Sequence, residues 1–402
     1  MSGSTKIPLI QHTPTPETIE IKRWAPLALG FRPFFLSGIY AAILLMLIAV
    51  TAFSTGLWHQ NYFDLPLWHG HEMVFAYAVA LIAGFLLTSV RNWTGLPTPS
   101  GGSLLLLLLL WLAPRLLSPF SLLPPMLFAA IDLLFLPVLA IVLARLIWQT
   151  KQRRNYPIPL LLLLLACCNG GVHLQIAGIF EIGQQSMQAA VTLVIALIVV
   201  IAGRIIPFFM QGGIGIRPAP NPLIEQLALP SVLMFAVALI SNHAWLIISA
   251  SLLATIIHLI RLTGWCDRAV LQEPMLWVLH TGYAWLVAGF LLYGITTWLQ
   301  LPTVLAIHAW TVGAIGMFTL GMLARVALGH TGRKIEALPW VPSAFILTFA
   351  AAACRVFLPM IAPAYIDIAL MLSALFWSTA FLIIAFRYSA ILLLARADGK
   401  EG

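Results

Sequence analysis

Charge is what this sequence has least of. Of 402 residues only 8% are Asp, Glu, Lys or Arg, while 61% are hydrophobic. Mean hydropathy is +0.99. A soluble domain carries about 25% charged residues. So few charges cannot cover so much apolar surface in water, which excludes an ordinary cytosolic enzyme and a disordered chain. Cysteine is also scarce, with four in all: Cys167, Cys168, Cys266 and Cys354. Three lie in apolar runs and no C-x-x-C pair exists, which argues against a disulfide framework or a thiolate zinc site. C-x-x-C-H is absent, so covalent c-type haem is excluded. There is no P-loop, and no G-x-G-x-x-G opens a helix after a strand, so neither ATP nor a dinucleotide is indicated. Residues 1–26 lack the apolar run of a signal peptide.

What the sequence has is long apolar runs. Leu104 to Leu110 and Val191 to Ala202 are apolar on every side. Barrel strands alternate, so these runs are helical. The fold class expected is an all-α polytopic membrane protein. Twelve runs are long enough to span: 34–56, 69–90, 101–118, 124–148, 158–180, 187–208, 226–242, 243–263, 275–298, 302–328, 339–361 and 364–394. The seventh and eighth are parted only by a tight turn near Ser241–Asn242, so a count of eleven is also open. Residues 1–26 read as a polar cytoplasmic tail, 27–396 as one transmembrane domain and 397–402 as a short cytoplasmic tail. With the N-terminus inside, Lys22, Arg23, Arg91, Lys151, Arg153, Arg154, Arg217, Arg261, Arg268, Arg333, Lys334, Arg396 and Lys400 fall on the inner side. Only Arg115 and Arg355 fall near the outer side. Both termini are therefore expected in the cytoplasm. The net charge of +8 is an orientation signal rather than a nucleic-acid signal, and the expected partner is the lipid bilayer. No segment outside the spans is long enough for a separate catalytic domain, so any chemistry is expected within the bilayer. Spans 2, 6 and 10 share a crude pattern, each ending in arginine and a glycine-bearing loop.

Ionisable side chains inside a bilayer are expensive and mark function. Ten histidines are present. His12, His59 and His243 fall in a tail, a loop and a turn, where bland roles suffice. The other seven form two layers. His69 and His71 open the second span from outside. His308 lies about six residues into the tenth, roughly 9 Å deep at ~1.5 Å per residue, and His173 on the fifth span sits at similar depth. His258, His280 and His330 fall toward the inner side. Each histidine alone can be a packing residue hydrogen-bonded to a neighbouring helix. Several at one level point to a metal or haem, because imidazole is a common ligand of both.

His69 and His71 are two residues apart, so on a regular helix they point about 200° apart. They cannot share one centre unless Gly70 unwinds the helix start. Following His69 at helical spacing meets Met73, Ala76, Ala80 and Ala83, a small-residue stripe that suits either a flat cofactor or a neighbouring helix. Ala309, Gly313, Gly316 and Gly321 repeat the theme beside His308. Glu72 can orient a ligand imidazole or simply complement a helix start. Asp132 and Asp367 are intramembrane without an evident partner. Arg204 and Arg325 are candidates to pair with haem propionates, or plain inner-side anchors. Trp68, Trp93, Trp111, Trp245, Trp277 and Trp310 read as an aromatic belt near span ends. The leucines from 104 to 110 suggest a lipid-facing third span.

The motifs together resemble one family. They are Gly30-Phe-Arg-Pro-Phe-Phe35, Trp68-His-Gly-His-Glu-Met73, Ala83-Gly-Phe-Leu-Leu-Thr88 with Asn92-Trp-Thr-Gly95, and Gly203-Arg-Ile-Ile-Pro-Phe-Phe209. Leu276-Trp-Val-Leu-His280 with Gly282-Tyr-Ala-Trp285 follows. The last pieces are His308-Ala-Trp-Thr-Val-Gly-Ala-Ile-Gly316 and Ala324 through Arg333. In this order, over about residues 26–396, they resemble the NnrS family of bacterial inner-membrane proteins. The resemblance implies twelve spans, non-covalent haem b and copper. It also implies a role in the response to nitric oxide and nitrosative stress, often beside denitrification. The family's histidine motifs fall on His69, His71, His280, His308 and His330, with His173 and His258 also fitting. Met210-Gln211 departs from the helix-6 motif, which more often continues with a threonine. A looser analogy links the chain to haem–copper oxidases and nitric oxide reductases, which have about twelve spans and haem histidines on the second and tenth. Those enzymes take further metal ligands from helices 6 and 7, and helix 6 here has no histidine. Two other functions fit the histidine layers: a transporter of a metal or small molecule, and a di-haem electron carrier to quinone. The reaction, if any, is left open by the sequence.

Overall fold

The computed structural model describes residues 24–58, 62–117 and 123–400. His12, His59 and the expected tail up to Arg23 lie outside them. Twelve long helices follow in order: α1 (Phe31–Thr55), α2 (Leu65–Thr94), α3 (Gly101–Leu117), α4 (Pro125–Gln149), α5 (Pro157–Ile176), α6 (Gly183–Ile214), α7 (Pro222–Ser241), α8 (Ala244–Thr263), α9 (Pro274–Trp298), α10 (Val304–His330), α11 (Val341–Ile361) and α12 (Ile366–Leu393). Among the described residues eleven are long and apolar enough to cross a membrane. The exception is α3, whose 17 residues reach only about 25 Å at ~1.5 Å each, short of a ~30 Å hydrocarbon core. Its leucines divide: Leu104 and Leu107 are buried, while Leu106 and Leu109 are exposed.

The boundaries follow local chemistry. Proline at the first helical position opens α4, α5, α7 and α9, where its missing N–H costs nothing. Asp64 caps α2, its Oδ1 accepting the Leu67 N–H at 2.8 Å. This cap moves the start of α2 to Leu65, ahead of the apolar run at 69. The α7–α8 turn closes on Asn242, whose φ of 53° is the left-handed conformation asparagine tolerates.

Sequential helices pack side by side except α2 and α3, where α2 packs on α4 instead; α1 also packs on α12, which in turn lies along α11. The two chain ends meet there. The Ala25 N–H donates to Leu393 O at 2.9 Å, and buried Arg32 donates to Leu392 O at 3.2 Å. Spans 2 and 10 lie at the centre. Their apolar windows are 89% buried, against 39–50% for the spans facing outward, with α6 and α9 between at 72%. Helix α6 touches the upper parts of both α2 and α10. "Upper" here denotes the end at which α2 and α10 begin.

Both central helices are irregular at the same place. In α2 the residues Glu72–Ala78 form a π-helical segment, with the Val79 N–H reaching Val74 O. In α10 the residues Ala309–Ile315 do the same, the Gly316 N–H reaching Thr311 O. Each segment starts immediately after a histidine of the motifs, His71 and His308. Such i→i+5 turns add a residue per turn and concentrate at functional sites.

The small-residue stripes pack helices. A Cβ placed on Gly38 of α1 would meet Leu81 at 2.6 Å and Ala80 at 3.6 Å, so α2 sits directly on α1. On α10, Gly313 faces Trp285 and Gly321 faces Val278 and Leu279 of α9. The aromatic-belt reading also fails for part of its set. Trp68, Trp111 and Trp310 are buried core residues, whereas Trp245 is 74% exposed. Trp310 donates to Leu286 O at 3.0 Å. Trp111 donates to Ala76 O within the α2 π segment at 3.3 Å.

Candidate metal and cofactor centre

Two imidazole sites lie on opposite faces of the start of α2. Gly70 stays helical, so His69 and His71 diverge, as helical periodicity requires. His69 faces an upper cavity of about 770 Å³ walled by α1, α2, α6, α10, α11 and α12. His308 of α10 lines the same cavity. Its Nδ1–H donates to Val304 O at 2.7 Å, which leaves Nε2 with its lone pair. His69 Nδ1 is buried with no hydrogen-bond partner. The remaining walls are largely apolar and sulfur-bearing: Met46, Met73, Met187, Val74, Ile315 and Trp377. Arg355 of α11 completes the cavity's charged lining with Asp64.

His71 turns instead into a sealed polar cage between α2, α4 and α5. Its Nε2 lies 3.1 Å from Asp132 Oδ2 and 2.9 Å from Asn169 Oδ1, and its Nδ1 lies 3.0 Å from Glu72 Oε1. His173 Nε2 lies 3.1 Å from the same Asp132 Oδ2. One ligand atom from each of His71, Asp132 and His173 falls within 4.8 Å of the others, and all three residues are buried. Asn169 Nδ2 donates to Asp132 Oδ2 at 2.7 Å. Arg115 of α3 donates to Asp132 Oδ1 at 2.8 Å and lies 3.4 Å from Glu72 Oε2. Tyr62 Oη sits 2.7 Å from His173 Nδ1, the outer contact that fixes a ligating imidazole's tautomer. Both His71 ring nitrogens face acceptor oxygens, which an imidazole with a single N–H cannot satisfy, so a protonated His71 and Arg115 together balance the two carboxylates. A metal ion held by His71, Asp132 and His173 would take the place of that proton.

Asp132 therefore has the partners that were not evident from the sequence, and Arg115, expected only as a cation near the outer side, is one of them. Asp367 is exposed at the start of α12. The lower histidines do not gather into a comparable group. His258 is held by Tyr283 Oη at 2.7 Å and lies 3.4 Å from Ser231 Oγ. Tyr283 also accepts from Arg261 at 3.1 Å. Arg261 is no loop cation: it is buried on α8 and ion-paired with Glu225 of α7. Gly203 of α6 makes room for that guanidinium, since a Cβ there would collide with Arg261 and Glu225. His280 places Nδ1 2.9 Å from Leu276 O and Nε2 3.2 Å from Trp265 O. His330 ends α10 with its ring 5.8 Å from that of Phe31. Arg204 donates to Asn155 Oδ1 and Arg154 O, fastening the α4–α5 connection. Arg325 lies 4.0 Å over the Phe209 ring. Neither arginine lines the cavity that holds His69 and His308.

This is a helical, multi-pass membrane protein with a buried His–Asp–His group suited to a metal and, beside it, a cavity carrying two more imidazoles. A family model described as NnrS protein matches residues 25–396. The chain belongs to the NnrS family. No curated protein matches it.

Proposed function

We propose that this is a haem- and copper-binding protein of the bacterial inner membrane that acts in the response to nitric oxide and nitrosative stress, linked to denitrification. Haem b is assigned to the upper cavity, held by His69 and His308. Copper is assigned to the cage of His71, His173 and Asp132. The observation that carries this reading is the division of the Trp68–Met73 motif into two faces, each supplied with a further histidine from another helix.

The residues present fit both groups. The cavity volume lies within the ~300–1,000 Å³ that ordinarily accommodates a cofactor, its walls are mostly apolar, and His69 Nδ1 is buried without any other partner. The cage offers two imidazoles and a carboxylate, a donor set that suits copper or iron. Bound haem and copper would supply one-electron exchange and sites for nitrogen oxides. The chain's own residues do the rest. The His308–Val304 hydrogen bond aims one imidazole, Asp132 and Tyr62 orient His173, and the helices around the cage exclude water. The lower group of His258, Tyr283, Arg261 and Glu225 and the carbonyl-facing His280 carry no part of this assignment.

The test is the visible spectrum and metal content of detergent-purified protein. A Soret band with b-type shoulders, with copper present, is expected. Folded protein that is colourless and metal-free would overturn the assignment in favour of a histidine-lined transporter. Haem without copper, in two equivalents, would favour an electron carrier to quinone.

A further inference from the structure

Arg355 is the unexplained charge of the upper cavity. It comes from α11 and is the one arginine of a lining whose other polar side chains are the two imidazoles, Asp64 and neutral groups such as Gln184, Gln188 and Ser373. Among the described residues it has no hydrogen bond and no ion pair. Its charge is close enough to act on both His69 and His308. Asp64, the one carboxylate in the lining, is engaged in capping α2. Three other deep cations are paired: Arg115 has Asp132, Arg261 has Glu225, and Arg204 has Asn155 and the Arg154 carbonyl. Arg325, which has no ion pair among the described residues, is covered by the Phe209 ring and lies outside this cavity. An arginine within a bilayer that faces a cavity without a counter-ion marks a binding function. A guanidinium binds carboxylates and related oxyanions in bidentate fashion.

We propose that Arg355 forms an oxyanion subsite of the cavity, and that the oxyanion is a carboxylate carried by the macrocycle held between His69 and His308. The proposal rests on the haem assignment above and deepens it. It moves the charge partner of the haem carboxylates from Arg204 and Arg325, at other places in the bundle, to a residue of the cavity itself.

The full-length chain, prepared without haem in detergent, is titrated with hemin and with iron protoporphyrin IX dimethyl ester, following the Soret band. The ester keeps the ring and iron and lacks the carboxylate charges. Wild-type protein is expected to prefer hemin by about 10- to 100-fold, the range of one charge-assisted hydrogen-bonded contact. Arg355→Gln should lose that preference while binding the ester as wild type does. Arg355→Lys, which keeps the charge and loses the planar fork, should retain part of it and covers the case in which the glutamine variant does not fold. Equal affinity of wild type for both compounds, or a preference undiminished in both variants, would overturn the proposal while leaving the haem site intact. Equal affinity together with a nitrite-induced Soret shift that requires Arg355 would overturn it in favour of a free oxyanion. Failure of wild type to bind either macrocycle would overturn the haem assignment, and this one with it.

Discussion

Asp132 shows what a single residue contributes here and why the sequence conceals it. Its carboxylate receives two imidazoles, an amide and a guanidinium, from positions 61, 41, 37 and 17 residues away. No local spacing encodes such a meeting, because three of the four partners come from other spans and the fourth from the neighbouring α3. His69 and His71 behave differently. Their divergence is a matter of helical geometry, so it was legible from two positions in the chain. Removing the hub should be severe. Asp132→Ala leaves Arg115 and the two histidines in a buried site without their acceptor, and breaking a buried ion pair costs about 3–5 kcal/mol. Thermal unfolding in detergent should show a large fall in stability, and an unchanged midpoint would refute the cage as drawn. Tyr62→Phe removes only the outer contact to His173. It should leave the fold intact and weaken copper retention by about 10- to 100-fold, read by competition with a chelator.

Among the elements, apolar run length and proline or Asp/Asn start signals located nearly all of the helices, because a bilayer imposes both length and polarity. The π segments left no such trace. Glu72–Ala78 and Ala309–Ile315 are apolar stretches that a regular helix would also fit. Regular spacing therefore placed Ala76 and Ala80 beside His69, whereas the cavity face of α2 runs through His69, Met73, Val74 and Tyr77. Of the two uses the sequence left open for the glycines on α10, a flat cofactor or a neighbouring helix, the second holds: Gly313 and Gly321 admit side chains of α9, and Gly316 admits Trp377 of α12. That assignment is testable by filling one. A Cβ at Gly313 would stand 2.5 Å from Trp285 Cγ, too close to accept without displacement. Gly313→Ala should cost about 1–3 kcal/mol, the usual penalty for overpacking. No loss of stability would mean that Trp285 is free to yield and that the close α9–α10 contact is not what the glycine serves.

At the scale of the whole molecule, burial ranks the spans: α2 and α10 innermost, α6 and α9 next, the others toward lipid. The two central helices carry the paired histidines and the matching irregularities, so the site occupies the least exposed part of the bundle. Sidedness is a separate matter and rests on the cations. Reporter fusions after residue 57 should report the periplasm, and fusions after residue 151 the cytoplasm. The reverse pattern would turn the cavity toward the cytoplasm.

The central claim is that one short motif on α2 serves two independent centres. The most direct measurement is haem, iron and copper content in purified His69→Ala and His71→Ala variants, each checked for folding by size exclusion and circular dichroism. The account predicts that His69→Ala loses haem and keeps copper, while His71→Ala loses copper and keeps haem. Loss of both cofactors together in either folded variant, loss of neither, or iron in place of copper in the cage would contradict it.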